Sequence, residues 1–407
     1  MKPSDQAPRG RPRLRQDDQR WIFDYIVKEA GDVYHWWGDG GRELPKGVRS
    51  HAMIPKQLGK QGQQVEALAR VETAAGHPHV ALALWLAATR LYLKAQHPIF
   101  ELGDEKRFLY DAMRRCYDEA RALAPYPIER VEVPWNGTTV SGWLHVLPGR
   151  PRAPLLFHVP GSDTTAEGAP DPTENLPHQR GMHVFAFDGP GQGQSNMRGI
   201  RLTADNYEDA AGAMLDKLVT LPEVDPERVV VYGTGQGGFW AMRVAAHDRR
   251  VKAAATKSSY ADKYFVLTED SPRYRRLFAF LTQAASEEEL EATMAAMTLE
   301  GHVEKVTCPT LLVVGEYDHR DPLDEVYRVF DRLGTPGELW VFADQFHKVK
   351  LPGGGEIVSH LMFDWLADRL AGRPQAQRGQ VLWLDPGGEG PNASRVTRKR
   401  RWFDPSR

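Results

Sequence analysis

The spacing of hydrophobic residues changes partway along the chain. In the first part they recur every three to four positions, as in residues 79–96, which is the spacing of one helix face. Pro125 and Pro127 end this pattern, because proline removes a backbone donor and disfavours helical conformation in the residue before it. We predict a flexible N-terminus over residues 1–20 and a helical cap domain over residues 21–126.

Beyond the prolines, short apolar runs alternate with helical patterns. Asn136 and Gly137 separate two alternating runs and favour a two-residue hairpin turn, which needs positive φ angles. The six apolar runs that follow are APLLFHV, MHVFAFD, RVVVYG, VKAAAT, PTLLVVG and ELWVFA. Continuous apolar strands between helices are typical of a mostly parallel sheet covered by helices on both faces. We predict an α/β domain over residues 127–372 and an extended C-terminal tail over residues 373–407.

Composition and charge exclude several kinds of partner. The 407 residues include 52 Lys and Arg against 54 Asp and Glu, a net charge of −2, which gives no overall basic field for nucleic acid or an anionic membrane. No apolar run has the length of a membrane span, and no signal-peptide pattern follows the basic N-terminus. The two cysteines, Cys116 and Cys308, supply neither a disulfide framework nor a Cys-rich zinc site. We therefore expect a cytoplasmic protein without nucleic acid or membrane partners.

The most informative motif is a strand, a glycine-rich turn and a helix over residues 229–247. It has the form of a nucleophile elbow, G-x-S-x-G, in which small residues flank the apex because strand and helix approach closely. Gly233 and Gly237 flank the apex here, and Gly235 occupies it. Glycine has no nucleophilic side chain, so the sequence excludes a covalent acyl-enzyme at this position.

Two later strand ends carry an acid and a histidine. Asp318 follows the apolar run at 309–315, and His347 lies in the loop after the next run. The order elbow, acid, histidine is the triad order of hydrolases with this elbow, in which the acid orients the imidazole and stabilises its protonated form. We predict that His347 is the general acid or base and that Asp318 orients it.

Backbone N–H groups near the elbow form the predicted oxyanion hole. They belong to Gln236, directly after the apex, and to Gly161 and Ser162 in the loop after an apolar strand. A second loop, residues 188–195, contains GPGQG but lacks the Lys-Ser/Thr of a phosphate loop, which predicts a tight structural turn. We expect no cofactor and no metal ion.

Aromatic residues indicate a pocket for a small-molecule substrate. Trp36 and Trp37 belong to the densest aromatic cluster, and Tyr260 and Asp262 begin a helix-like stretch suited to a lid. Such walls favour an aromatic or polyketide-like ligand. The alternative is that the two tryptophans only anchor the cap to its neighbours. The sequence leaves homodimer formation open.

These motifs resemble the α/β-hydrolases that carry an N-terminal helical domain. The group includes 2,6-dihydroxypseudooxynicotine hydrolase, the fermentation-respiration switch proteins and fungal polyketide-shortening hydrolases. The stretches that carry the resemblance are GHPHVALALWLAATRLYLKAQHPIF, PGSDTTAE, FAFDGPGQGQS and GTGQGGFWAMRVAA. The resemblance implies an α/β-hydrolase fold, a helical cap over the active site and, in several members, cleavage of a carbon–carbon bond next to a carbonyl. It also implies a Ser–Asp–His triad, in which Asp318 and His347 match the acid and base and Gly235 stands at the serine's position.

Three functions are compatible with Gly235 at the apex. The first is an enzyme that uses His347 and Asp318 without a covalent step, in carbon–carbon hydrolysis, lyase or cyclisation chemistry on a carbonyl compound. The second is a serine hydrolase of carbon–carbon or ester bonds, inactivated by a Ser→Gly substitution at position 235. The third is a non-catalytic protein that binds a ligand in the retained pocket. The nearby hydroxyl groups considered as substitutes for the serine are those of Ser162, Ser258 and Ser259.

Overall fold

Three helices precede the sheet in the part of the chain that the computed structural model describes. The structure describes residues 48, 50, 52–162, 164–258, 260–264, 267, 272–318, 320–347, 349 and 356–384. The helices are α1 (Met53–Ala74), α2 (Pro78–Gln96) and α3 (Asp104–Ala122). Their facing sides bury one hydrophobic cluster that includes Trp85, Tyr92 and Met113. The predicted flexible N-terminus and the first part of the predicted cap lie outside the described residues.

A mostly parallel sheet forms the centre of the second part. The strands are β1 (Ile128–Trp135), β2 (Thr138–His145), β3 (Ala153–Val159), β4 (His183–Asp188), β5 (Val224–Thr234), β6 (Val251–Lys257), β7 (Thr310–Gly315), β8 (Glu338–Phe342) and β9 (Gln380–Leu384). Their order across the sheet is β1-β2-β4-β3-β5-β6-β7-β8-β9. The pairs β1–β2 and β2–β4 are antiparallel, and the later neighbours are parallel. This sheet confirms the predicted α/β architecture.

The predicted hairpin joins the first two strands. Asn136 and Gly137 have φ angles of 45° and 75°, as a two-residue turn with positive φ at both positions requires. The flanking residues Trp135 and Thr138 are paired across the turn. The local sequence therefore determines the register of this edge of the sheet.

Helices cover both faces of the sheet. They are α4 (Gly193–Met197), α5 (Asn206–Leu218), α6 (Gln236–His247), α7 (Pro272–Thr282), α8 (Glu287–Ala296), α9 (Leu323–Asp331) and α10 (Glu356–Leu370). One face buries a cluster around Phe157 and Trp240, and the other buries a cluster around Tyr232 and Trp365. None of the helices that the structure describes is long and apolar enough to cross a membrane.

The C-terminal segment differs from its prediction. The sequence pattern predicts an extended tail over residues 373–407, but Gln380–Leu384 forms β9, which pairs in parallel with β8. Leu382 and Leu384 are buried against the cluster on one face of the sheet. The prediction was wrong for these residues because an apolar segment gains both backbone pairing and burial at an open sheet edge. Residues 385–407 lie outside the described part of the chain.

Buried polar groups join the helical part to the sheet. The hydroxyls of Tyr117 on α3 and Tyr126 after it each hydrogen-bond one ring nitrogen of His145 on β2, at 3.3 and 3.2 Å. Arg114 on α3 lies 3.4 Å from the buried carboxylate of Glu167, which follows β3. The two parts therefore share specific polar contacts in addition to apolar packing.

Candidate active site

The predicted elbow is a sharp turn between β5 and α6. Gly235 has φ 56° and ψ −133°, a combination that is unfavourable for residues with a Cβ atom. Its N–H donates to the Lys257 carbonyl at 2.8 Å, and its own carbonyl accepts from the Gly238 N–H at 2.8 Å. These bonds fix the apex between the end of β6 and the first turn of α6.

The glycines that flank the apex have no room for a side chain. A Cβ on Gly233 would lie 2.2 Å from the Gly237 carbonyl oxygen, and a Cβ on Gly237 would lie 2.1 Å from the Val159 carbonyl oxygen. At Gly235 the nearest described atom to an added Cβ, chain neighbours aside, is His347 Nε2 at 3.8 Å. Only the apex therefore has space for a side chain, and that space faces the imidazole.

His347 and Asp318 form a hydrogen-bonded pair beside this space. The His347 Nδ1–H donates to the Asp318 carboxylate, 2.8 Å from Oδ2 and 3.1 Å from Oδ1. The carboxylate is buried and also accepts from Ser258 Oγ at 2.9 Å and from the Arg320 N–H at 3.0 Å. These bonds hold the imidazole through Nδ1 and leave Nε2 on the side of Gly235.

Two buried charged groups lie close to the pair. Asp321 accepts from the N–H groups of Tyr260 and Ala261 at 2.6 and 2.9 Å, and burial together with the nearby Asp318 raises its pKa. Lys263 is completely buried and donates to the Ala261 carbonyl at 3.0 Å, and burial lowers its pKa to about 8. Sequence reasoning missed Lys263, because the local pattern does not distinguish it from a surface lysine.

One group of side chains at the site has the atom types of a metal centre. A nitrogen of His347 and oxygens of Asp318 and Asp321 lie within 4.8 Å of one another. Each carboxylate already accepts hydrogen bonds from protein donors. The arrangement is therefore suited to holding and moving a proton at His347.

The predicted oxyanion-hole residues lie around the elbow. Gln236 is the first residue of α6, where a backbone N–H has no partner within its own helix. Gln192 Nε2 donates to the carbonyls of Pro160 and Gly161, at 3.0 Å each. The N–H groups of Gly161 and Ser162 point away from Gln192, because N–H and C=O are on opposite sides of a trans peptide. The two N–H groups of the loop after β3 therefore both point to the side opposite Gln192.

Among the described residues, no serine hydroxyl forms a hydrogen bond with His347 Nε2 in place of a serine at the apex. The Ser258 hydroxyl is fully buried and donates to Asp318, on the Nδ1 side of the imidazole. Ser162 lines a cavity beside the loop after β3. Ser259 lies outside the described residues.

The predicted substrate-binding residues have different outcomes. Tyr260 is predicted to bind substrate, but its hydroxyl donates to the Thr256 carbonyl at 2.7 Å and accepts from the Val313 N–H at 2.9 Å. These bonds direct the side chain into the core between β6 and β7, so it does not line a pocket. The Asp262 carboxylate accepts from Thr298 Oγ1 at 2.8 Å, which holds it beside the segment after α8. Trp36 and Trp37 lie outside the described residues.

A cavity lies between the helical part and the sheet domain. Its walls come from α2, α3, the loop after β3, the loop after β4 with α4, and α7. Lys106, Tyr110, Asn196 and Phe280 face it, together with Ser162 of the predicted oxyanion loop. Sequence reasoning did not select the first four, because they come from separate parts of the chain and match no motif.

Comparison with known proteins finds similarity to several hydrolases. Residues 173–373 match the prolyl oligopeptidase family. The chain is 27% identical over 306 residues to 2,6-dihydropseudooxynicotine hydrolase of Paenarthrobacter nicotinovorans, a match covering 72% of this chain and 80% of the relative. It is 26% identical over 372 residues to hydrolase LUC6 of Fusarium sp, covering 75% and 85%. It is also similar to the crystal structure of 2,6-dihydroxy-pseudo-oxynicotine hydrolase, with a TM-score of 0.71 and 26% identity over 82% of this chain and 93% of that chain.

The sheet order, the elbow between β5 and α6 and the match to this crystal structure define an α/β-hydrolase fold. The chain has this fold, as its motifs implied, and it is similar to hydrolases that share it. It is also similar to the 20-hydroxy-prefusarin hydrolase of Gibberella moniliformis, with 24% identity over 76% of this chain and 86% of the relative.

Proposed function

We propose that this α/β-hydrolase acts on a carbonyl-bearing, aromatic or polyketide-like small molecule by general acid–base catalysis, without a covalent intermediate. His347 is the base and then the acid, Asp318 orients its imidazole, and Gly235 leaves the nucleophile position open. One observation carries the proposal: a Cβ on Gly235 would lie 3.8 Å from His347 Nε2, and apart from the chain neighbours of Gly235 no other described atom lies as close. A water molecule or a substrate oxygen fits between the apex and the imidazole.

Hydrolysis of a carbon–carbon bond between two carbonyl groups suits such a site. His347 Nε2 takes a proton from water while the water oxygen bonds to one carbonyl carbon. The N–H groups of Gly161, Ser162 and Gln236 stabilise the resulting oxyanion. The carbon–carbon bond then breaks, its electron pair forms the enolate of the second carbonyl, and the imidazolium returns the proton to carbon. The products are a carboxylic acid and a ketone.

The magnitude expected of such catalysis is modest but measurable. Positioned proton transfer contributes roughly 10²- to 10⁴-fold to a rate. Serine hydrolases that lack a triad member keep roughly 10³- to 10⁴-fold over water through the oxyanion hole and binding. These two contributions allow turnover without a serine. The relatives named as hydrolases of pseudooxynicotine and prefusarin compounds support a substrate of the proposed class.

The test uses 1-phenylbutane-1,3-dione, an aromatic 1,3-dicarbonyl whose enol absorbance falls when the carbon–carbon bond is cleaved. We expect His347→Gln to lower kcat/KM about 10²- to 10⁴-fold, because the variant lacks the proton acceptor. The matched control is His79→Gln, an exposed histidine on α2, which should leave the rate unchanged. Equal rates in the wild type and His347→Gln, or no cleavage by the wild type, would contradict the proposal.

A second measurement separates covalent from non-covalent catalysis. The wild type should not react with a fluorophosphonate serine probe, because the apex has no hydroxyl and Ser258 is buried against Asp318. Labelling is measured by mass spectrometry of the intact chain and its peptides. One probe molecule per chain on Ser162, Ser258 or Ser259 would refute the non-covalent mechanism.

A further inference from the structure

Two polar side chains that face the cavity between the helical part and the sheet domain are buried without a hydrogen-bond partner. They are Tyr110 on α3 and Asn196 on α4, and each is only 3% exposed. Both polar atoms of the Asn196 amide lack a hydrogen-bond partner among the described residues, and so does the Tyr110 hydroxyl, although the Arg114 guanidinium lies near it without a well-formed hydrogen bond. Buried polar groups are normally satisfied, since leaving them unpaired costs free energy. These two therefore need an explanation.

The surroundings of the two side chains combine one polar end with one apolar wall. The buried ammonium of Lys106 donates to Gln96 Oε1 at 2.7 Å and to two carbonyl oxygens, and no carboxylate pairs with it among the described residues. The Phe280 ring of α7 lies 4.7 Å from this ammonium, and Leu277 and Leu281 of the same helix also line the cavity. The cavity is therefore suited to a molecule with both a polar and an apolar part.

We propose that Tyr110 and Asn196 form a substrate-binding subsite that holds the enol or hydroxy-ketone group of an aromatic substrate, with Phe280 and the α7 leucines against its apolar part. The proposal rests on the proposed function for the substrate class and deepens it. A hydroxyl next to a carbonyl offers one donor and one acceptor. The Asn196 amide needs both, and the Tyr110 hydroxyl can supply or accept either bond.

The position of Ser162 connects this subsite to the elbow. Ser162 lines the same cavity and belongs to the loop after β3, whose first residues touch α6 beside the apex. A Cβ on Gly237 of α6 would lie 2.1 Å from the Val159 carbonyl oxygen and 2.6 Å from that of Pro160. A ligand anchored at Tyr110 and Asn196 therefore lies against the loop that carries the predicted oxyanion N–H groups.

Binding is measured by titration calorimetry with 1-phenylbutane-1,3-dione in the His347→Gln background, in which turnover is expected to be slow. We expect Tyr110→Phe and Asn196→Leu each to raise Kd about tenfold. The matched control, Tyr327→Phe, changes a half-buried tyrosine outside the cavity lining and should leave Kd unchanged. Unchanged affinity in both cavity variants, or no binding by the parent at millimolar ligand, would overturn the proposal.

The thermal unfolding temperature without ligand distinguishes a ligand-binding role of the Tyr110 hydroxyl from a structural role. If the Tyr110 hydroxyl is kept for a ligand, Tyr110→Phe removes only an unpaired group, and its unfolding temperature should equal or exceed the parent's. A lower temperature would show a structural hydrogen bond and contradict the proposal.

The outcomes also separate this proposal from the proposed function. If the wild type binds the dione through Tyr110 and Asn196 but does not cleave it, the subsite is supported and the function is refuted. If the wild type cleaves the dione, and Tyr110→Phe and Asn196→Leu cleave it with the same KM as the wild type, the function is supported and the subsite is refuted.

Discussion

At the scale of single residues, the side chain at position 235 decides whether catalysis can be covalent: a serine there could act as a nucleophile, and glycine cannot. Its backbone has the sharp conformation of a nucleophile elbow, and its flanking glycines leave no room for other side chains. The apex itself has space toward His347 Nε2. The geometry at the apex therefore permits a serine, although the sequence has none there.

We predict that Gly235→Ser creates reactivity toward fluorophosphonate and hydrolysis of 4-nitrophenyl acetate. The serine costs about 1–3 kcal/mol of backbone strain at this positive φ, which a stable fold tolerates. Its hydroxyl lies next to His347 Nε2, which can remove its proton. The matched control is Gly235→Ala, which adds the same Cβ without a hydroxyl and should remain unreactive.

The double variant Gly235→Ser, His347→Gln shows whether the imidazole activates the new serine. Its ester hydrolysis should fall by at least about 10²-fold relative to Gly235→Ser. Equal activity would contradict the His347 assignment. A gain of dione cleavage in Gly235→Ser would favour an inactivated serine hydrolase over a native non-covalent enzyme, and a loss would favour the reverse.

At the scale of elements, the close approach of β3, β5 and α6 determines where the site lies. A Cβ on Gly237 of α6 would lie 2.1 Å from the Val159 carbonyl oxygen at the end of β3, and a Cβ on Gly238 would lie 2.4 Å from the Ser258 carbonyl oxygen after β6. Backbone atoms form these contacts, so side-chain movement cannot relieve a clash. The first turn of α6 is consequently held against two strand ends.

We predict that Gly237→Ala lowers the free energy of unfolding by about 1–3 kcal/mol, because its Cβ would overlap the Val159 carbonyl. The matched control is Gly212→Ala on α5, where nothing lies within 4 Å of the added Cβ. That change should raise stability by roughly 0.5–1 kcal/mol, the usual gain of alanine over glycine in a helix. Urea unfolding measures both, and equal effects would contradict the assigned contact.

Strand β9 gives a second prediction about an element. A chain that ends at Arg373 loses β9, and with it the burial of Leu382 and Leu384, which is worth about 1.5–3 kcal/mol for each side chain. It also exposes the edge of β8, which favours aggregation. A chain that ends at Leu384 keeps β9 and is the control. Urea unfolding and light scattering should show lower stability and more aggregation only in the shorter chain.

At the scale of the whole molecule, buried neutral histidines connect stability to pH. His145 joins α3, the connection after it and β2 through two tyrosine hydroxyls. Burial, with smaller contributions from His178 and His158, lowers the pKa of His145 to about 3. Burial lowers the pKa of His158 to about 4. The folded protein therefore keeps both rings neutral where an unfolded chain would protonate them.

We predict that the free energy of unfolding falls as the pH falls from about 6.5 towards 4. In this range the unfolded chain binds protons at both histidines and the folded chain does not, so each contributes up to about 1.4 kcal/mol per pH unit. His145→Gln should reduce the slope by one proton, because it removes the ring that only the unfolded chain protonates. Urea unfolding at pH 7, 6 and 5 measures the slopes, and equal slopes in the wild type and the variant would count against this account.

The sequence by itself determined the elements and the order of the chemical groups. Periodicity distinguishes the helices from the strands, the two prolines divide them, and Asn136–Gly137 specifies a hairpin, because each of these signals lies within one short segment. The glycine at the apex, Asp318 and His347 follow the chain order of one fold, so the sequence could also predict them as neighbours. Their roles stay predictions.

Only the tertiary structure decided which distant groups share one environment. β9 pairs with β8 because an open sheet edge accepts an apolar segment, which residues 373–407 do not show when considered alone. Tyr260 lies in the core and Lys263 is fully buried, although both belong to the same lid-like stretch of sequence. Tyr110 and Asn196 face one cavity from separate parts of the chain. Burial and contact between distant segments depend on packing, and no local pattern encodes them.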